Sequence, residues 1–392
     1  GGHSLLGMQI INQLSGEYNK ELSIRDLYQN PSPAELAVLI EKNCRSAMTI
    51  SQSDINQTGL YPLSHAQQRL YVQHYSEGGS VAYNFTFAFR IDGELDKKRL
   101  SDALDRLCDR HEILRTAFIE KDGQLWQSIC NKNDFSADLL YDDNNHLTID
   151  DAMKLFSEDS VKPFSLDKPG LFRIRCCKIE KNINLLALTM HHIIADGWSM
   201  QLFFRELMEF YMRGKDTVLN PLKIHYRDYS QWQQNKNWDE EAAYWKIELK
   251  GITQGINLPV DKISNGSSHD LGVIQKVLPD ELMDRIREMS RKKAVSPATL
   301  ILSVFASFLF RLTRQEDMVI GMGVAGREKK ELEGLIGFFV NILPIRIRVN
   351  DDTDFDDLID IVHRSSVEAV SRQDYPYDLL IRNISPDRKS RR

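Results

Sequence analysis

The sequence has little cysteine. Cys44, Cys108, Cys130, Cys176 and Cys177 are spread over 392 positions, an odd count with no C-x-x-C pair. That excludes a disulfide framework and suits reduced thiols in a cytoplasm. Long apolar runs are also missing: none approaches the roughly 20 residues that span a bilayer. Positive charge is not in excess either. Lys and Arg number 50 against 56 Asp and Glu, a net charge of -6, so no basic field exists to attract nucleic acid. The opening "GGHSLLGMQI" lacks both a basic start and a methionine, so no signal peptide is read there. The chain opens inside a domain and stops abruptly at "SPDRKSRR"; the expectation is a piece excised from a larger protein. Low-complexity tracts and short-period repeats are absent from the sequence.

What is present is globular: 42% hydrophobic and 27% charged residues. A chain of 392 residues is too long for one ordinary core, so two or three packed units are expected. Residues 1–44 read as short helices. Leu6, Ile10 and Leu14 share one helix face. "SIRDLYQN" is a short second piece, and Ser32, Pro33 and Glu35 mark a capped start before Leu36, Leu39 and Ile40. Residues 45–59 are polar and aperiodic, a linker.

From residue 60 strands and helices mix, so the fold class is α/β (α+β). "YPLSHAQQRLYVQHY" reads as a helix with Leu63, Ala66, Leu70 and Val72 inward. Phe85, Phe87, Phe89 and Ile91 alternate, as in a half-buried strand. The loop-rich stretch 250–272 marks a division into lobes 60–250 and 251–392. "SPATLILSVFASFLFRLT" reads as a buried helix, and "DMVIGMGVAGR" and "GLIGFFVNILPIRIRV" as strands. Trp232, Trp238 and Trp245 read as core or lobe-surface residues.

One stretch draws attention to chemistry. In "LTMHHIIADGWSMQLFF", His191 and His192 end an apolar strand, and Asp196 and Gly197 start a helix. Strand-to-helix handovers commonly carry function in α/β proteins. Three readings stay open from the residues alone. The histidines could simply be satisfied strand-end side chains. They could bind a metal, although adjacent rings point apart and no H-E-x-x-H or cysteine cluster accompanies them. Or one could act as a general base, with Asp196 orienting a ring or locking the loop through an arginine.

"MHHIIADGWS" resembles the HHxxxDG motif of the condensation domains of nonribosomal peptide synthetases. Further stretches resemble that family's motifs in its own order: "LSHAQQRLY" (63–71), "RHEILRTAF" (110–118), "YRDYSQWQ" (226–233), "IGFFVNILPIR" (336–346) and "RQDYPYDLLI" (372–381). The family's last motif is met only in part by "DRKSRR". Residues 1–44 resemble the end of a peptidyl carrier domain, with "GGHSL" similar to its signature.

The resemblance implies two lobes like chloramphenicol acetyltransferase, set as a V-shaped pseudo-dimer behind a small helical carrier remnant. It implies 4'-phosphopantetheine on Ser4, whose alternative reading is an ordinary N-cap serine. Donor and acceptor carrier domains would meet at His192, with neighbouring adenylation domains as further partners. His192 would accept the amine proton or stabilise the tetrahedral intermediate. Asp196 is expected to be structural, paired with Arg327 across the lobes, with Arg110 and Arg115 as candidates within the first lobe. Gly197 would let backbone approach the substrate, and His191 would pack or bond the loop. Asn341 is placed at the crossover between lobes. The GGHS form hints at an L-configured donor. No metal, membrane or obligate homo-oligomer is expected. Alternatives are an epimerisation domain, a simple trimeric acetyltransferase, or a condensation-like module that only recruits partners.

Overall fold

The computed structural model describes residues 4–18, 20, 22, 26–27, 30, 32–42, 50–52, 59–76, 79, 81–143, 147–252, 255–259 and 274–384. The expectations for "SIRDLYQN", for most of the linker and for the chain's last residues lie mainly outside them.

The N-terminal helices are α1 (Ser4–Tyr18) and α2 (Pro33–Lys42). Glu35 accepts from the backbone N–H of Ser32 while Ser32 Oγ accepts from that of Glu35, the reciprocal cap read from sequence. In α1 the inward position is Ile11, 1% exposed, and not Ile10, 40% exposed. A face reading at four-residue steps alone misplaced it by one residue.

The first lobe holds β1 (Leu60–Pro62), α3 (His65–Ser76), β2 (Asn84–Asp92), α4 (Lys97–Arg110), β3 (Thr116–Lys121), β4 (Gln124–Ile129), β5 (Leu139–Asp142), α5 (Ile149–Ser160), β6 (Phe172–Glu180), β7 (Ile183–His191), α6 (Gly197–Arg213) and α7 (Tyr226–Asn235). Its main sheet runs β2-β7-β6-β5, and a smaller one runs β1-β4-β3. β7 is buried on both faces: Leu186, Leu188 and Met190 join the main core, while Leu185 and Ala187 pack with Ala152 and Phe156 of α5. That double burial is why "NINLLALTM" reads as a continuous apolar run. α3 starts at His65, so Leu63 precedes it, and Val72 points outward at 56% exposure.

The second lobe holds α8 (Asp239–Glu248), α9 (Asp280–Lys293), α10 (Pro297–Thr313), β8 (Asp317–Val324), β9 (Asn341–Arg348), α11 (Phe355–Val370) and α12 (Tyr377–Ile384). β8 and β9 form a two-stranded antiparallel sheet. α10 was expected to be buried. It buries Leu300, Ala306 and Leu309, but Ile301, Val304, Phe305, Phe308 and Leu312 are exposed. Among the described residues only one of its faces is covered. The expected strand across 334–349 is also shorter, because residues before Asn341 are irregular.

Two segments cross the division expected at residue 250. Trp245 and Leu249 belong to the second core, with Trp238 packed beside them. Leu332, Leu335, Ile336, Phe338 and Phe339 belong to the first core, although they follow β8. This returning segment brings the second lobe's residues to the histidines.

Candidate functional site

His191 ends β7 and His192 opens the tight turn before α6. Strand direction sends the two rings apart. His191 is fully buried, and its Nδ1 accepts from the Ile193 N–H at 3.1 Å. Nε2 of His191 therefore carries the ring proton. That nitrogen is buried without a hydrogen-bond partner among the described residues, and the ring lies edge-on to His74 at 5.2 Å between centroids. Burial, with His74 and His192 nearby, lowers the His191 pKa to about 3.

His192 is half-buried, and its Nδ1 lies 3.1 Å from the Ala195 carbonyl. A carbonyl only accepts, so Nδ1 carries the proton and Nε2 keeps a basic lone pair. Burial holds the pKa of His192 below the ordinary value, against the raising effects of the Ala195 carbonyl and of Asp196. The ring sits between Phe85 of β2, 4.3 Å away, and Phe338 of the returning segment, 5.7 Å away. A half-buried neutral imidazole with its Nε2 lone pair available can accept a proton near neutral pH.

Asp196 is turned away from this chemistry. It is the N-cap of α6, accepting from the Ser199 N–H at 2.8 Å. Its other oxygen accepts from the Phe339 N–H at 3.1 Å. Arg327 Nη2 donates to both oxygens at 3.2 and 3.4 Å. Both residues are buried, at 0% and 4% exposure. Arg327 Nη1 also donates to the carbonyls of Leu332 and Leu335, at 2.5 and 2.7 Å. The carboxylate thus ties a first-lobe helix to the segment that carries Phe338.

Arg110 and Arg115, the within-lobe candidates for Asp196, lie elsewhere. Arg110 donates to Glu206 at 3.0 Å. Arg115 lies 3.7 Å from Glu112 and donates to the carbonyls of Cys108 and Cys130. His111 shares Glu206 with Arg110, at 2.7 Å, while Arg227 shares Glu112 with Arg115, at 2.6 Å. Gly197 is exposed at the first turn of α6, with open space where a Cβ would stand. Ser4 is the first residue of α1, a 15-residue helix with no acidic residue in its first turn. Free N–H groups and the positive helix end favour a phosphodiester there, so the backbone setting fits the attachment site.

Sequence reasoning missed several supporting residues. Tyr226 Oη donates to the Phe338 carbonyl at 2.6 Å and lies 2.9 Å from Ser64 Oγ, so two motif stretches fix the ring beside His192. The cap pairing of Asp196 with Ser199 was within reach of capping rules, since Ser199 stands three positions on. Asn341, which the sequence reading places at the crossover between lobes, donates through Nδ2 to the carbonyls of Gln373 and Tyr375, and its Oδ1 accepts from the Tyr377 N–H. It fastens the turn before α12 to β9. A cavity of about 1040 Å³ lies apart from the histidines, between α1 and the rim of both lobes, with Ile11, Trp232, Lys236 and Lys330 in its walls.

Known proteins match this arrangement. Residues 57–392 match the Condensation domain family, and residues 1–40 match the Phosphopantetheine attachment site family. A linear gramicidin synthase of Brevibacillus parabrevis is 34% identical over 99% of the chain, which spans 8% of that protein. Bacitracin synthase 3 of Bacillus licheniformis is 33% identical over 99% of the chain, which spans 6% of it. The first condensation domain of the calcium-dependent antibiotic synthetase, solved with a substrate analogue, superposes with a TM-score of 0.70 at 21% identity, covering 84% of this chain and 78% of that one. The X-domain complex with OxyB from teicoplanin biosynthesis gives 0.76 at 24%, covering 86% and 75%. These likenesses show the two-lobed fold.

Proposed function

The chain belongs to the condensation-domain family, and from that premise we propose that it joins two carrier-tethered substrates through a new peptide bond. It spans less than a tenth of the gramicidin and bacitracin synthases, so activity, substrates and partners are argued from its own residues. Phosphopantetheine on Ser4 would hold an acyl group as an activated thioester on a movable arm. The donor is then an aminoacyl or peptidyl thioester, and the acceptor an aminoacyl thioester with a free amine on a second carrier domain. Adenylation domains elsewhere in the synthetase would load both.

The observation that carries this reading is the Nε2 lone pair of His192, which sits between Phe85 and Phe338 with no hydrogen bond among the described residues. The acceptor nitrogen attacks the donor carbonyl carbon, forming C–N. Its proton passes to Nε2. As the tetrahedral adduct collapses, C–S breaks and the departing sulfur takes up a proton as a thiol. Holding two tethered reactants together supplies much of the acceleration. Asp196 serves as an anchor because both of its oxygens are already engaged. Its part is to keep the turn and Phe338 in place. Neither epimerisation nor a purely recruiting role is favoured by the matches.

The experiment supplies loaded donor and acceptor carriers and measures the joined product. His192→Ala should lower the rate by roughly 10²–10⁴-fold, the usual worth of a general base, while donor loading continues. Unchanged product formation would remove His192 from the mechanism. Intact-protein mass after treatment with a phosphopantetheinyl transferase tests Ser4, with Ser4→Ala expected to gain no mass.

A further inference from the structure

We infer that the phenylalanine row of β2 is the wall that selects the side chain of the aminoacyl group brought to His192. The inference rests on the condensing role proposed above. The row occupies alternate positions, Phe85, Phe87 and Phe89, which pair in register with Met190, Leu188 and Leu186 of β7. Those β7 partners are 0%, 0% and 3% exposed. β2, however, is the end strand of its sheet, and Phe87 and Phe89 remain 42% and 40% exposed.

The rings form an unbroken path from the imidazole outward. Centroid separations are 4.3 Å for His192–Phe85, 5.9 Å for Phe85–Phe87, 6.5 Å for Phe87–Phe89 and 4.3 Å for Phe89–Phe204 of α6. The polar residues of the strand alternate to the other face, where Thr86 bonds Thr189 at 2.8 Å and Arg90 bonds Asp92 at 2.8 Å. An exposed aromatic row continuous with a reacting group marks a surface that a ligand covers. A charged side chain laid along it would lose water without gaining a partner. An aliphatic or aromatic one gains ring contacts. The substrate class is therefore an aminoacyl thioester with a large apolar side chain. Phe85 contacts the atoms nearest the reacting carbon, and Phe87 and Phe89 contact the outer ones.

Binding separates this wall from the reaction. The probes are unreactive pantetheine amides carrying phenylalanyl, leucyl, alanyl or aspartyl groups, each N-acylated as a donor mimic and with a free amine as an acceptor mimic. They are titrated against the whole chain, the wild type and its Phe87→Ser and Phe87→Leu variants. The wild type should favour phenylalanyl over alanyl by about tenfold or more in one of the two forms, the usual worth of an apolar pocket. Phe87→Ser should shrink that ratio by about 2- to 13-fold, the span of one aromatic contact, while Phe87→Leu keeps most of it. An equal ratio in wild type and Phe87→Ser, or tighter binding of the aspartyl probe, overturns the wall. Wild-type protein that keeps the binding ratio but joins no loaded carriers overturns the condensing role and leaves the wall standing. Product formation without any binding ratio does the reverse.

Discussion

His191 and His192 are neighbours in the chain and carry their ring protons on opposite nitrogens. His191 Nδ1 accepts from a backbone N–H, and His192 Nδ1 donates to a backbone carbonyl. One ring is thereby spent on holding the turn, and the other keeps the lone pair on its outer nitrogen. Nitrogen-15 spectra of labelled histidine should show the two tautomers, assigned by the loss of one signal in His192→Gln.

The same burial links stability to acid. The pKa of folded His191 lies at about 3, below the ordinary 6.5. The unfolded chain takes up that proton first, so stability is intact above 6.5 and falls as pH drops toward the folded value. The slope is about 1.4 kcal/mol per pH unit for one such group. His191→Asn keeps an acceptor for the Ile193 N–H but cannot titrate. Urea midpoints between pH 7 and pH 5 should therefore fall less steeply in the variant. Equal slopes would mean that His191 is not held neutral.

Breaking the Asp196–Arg327 pair should cost about 3–5 kcal/mol, because a buried charge is left without its partner. Asp196→Asn is expected to lose soluble yield and shift the urea midpoint, and Arg327→Met to do the same. The double variant should lose less than the sum of the two. Activity should fall with stability, since the pair anchors the segment bearing Phe338. Additive losses in the double variant would show that the two side chains act independently.

Much of this site was legible because its parts are local in sequence. A buried strand ending in two histidines, followed by an aspartate at a helix start, puts ring, turn and cap within seven residues. The carrier's α2 was legible for the same reason: Ser32 and Glu35 are three residues apart. What failed was nonlocal. Trp245 reads in sequence as a core or lobe-surface residue, and nothing local says that it belongs to the second lobe's core. Alternation told that Phe85, Phe87 and Phe89 share a face, but not that their strand lies at the edge of its sheet. The apolar run of α10 could not reveal how many neighbours cover it. Arg327 was preferred over Arg110 and Arg115 through the family resemblance, since three arginines look alike in sequence.

Gly337 should tolerate no side chain. A Cβ there would stand 2.0 Å from Cδ2 and 2.4 Å from Cε2 of Tyr226, whose ring is wedged against Phe339. Tyr226 is also fixed by its bond to the Phe338 carbonyl, so it cannot swing aside cheaply. Gly337→Ala is expected to destabilise by about 3 kcal/mol or more, at the upper end of overpacking costs. Combined with Tyr226→Ala, which removes the obstructing ring at its own cost, the loss in urea unfolding should be less than the sum of the two single losses. A Gly337→Ala protein as stable as the wild type would show that the crossover segment shifts freely.

Asn341 offers a change of one atom with a signed pH signature. Its Nδ2 donates to the carbonyls of Gln373 and Tyr375 at 2.8 and 2.7 Å, and its Oδ1 accepts from Tyr377 at 3.2 Å. Asn341→Asp turns a donor to two carbonyls into a third acceptor facing them. The loss should be about 1–3 kcal/mol, the cost of leaving buried polar groups unpaired and opposed. Hydrogen exchange should rise first in residues 372–384, because α12 and its His65–Asp378 contact at 3.1 Å hang on that turn. The introduced carboxyl can donate only when protonated, and the surrounding carbonyls favour that form, so its folded pKa should lie above the unfolded one. The stability gap to the wild type should then be widest at pH 7 and narrow as pH falls toward 4. A gap that is constant with pH would mean that the side chain had turned out to solvent and that the turn is held by something else.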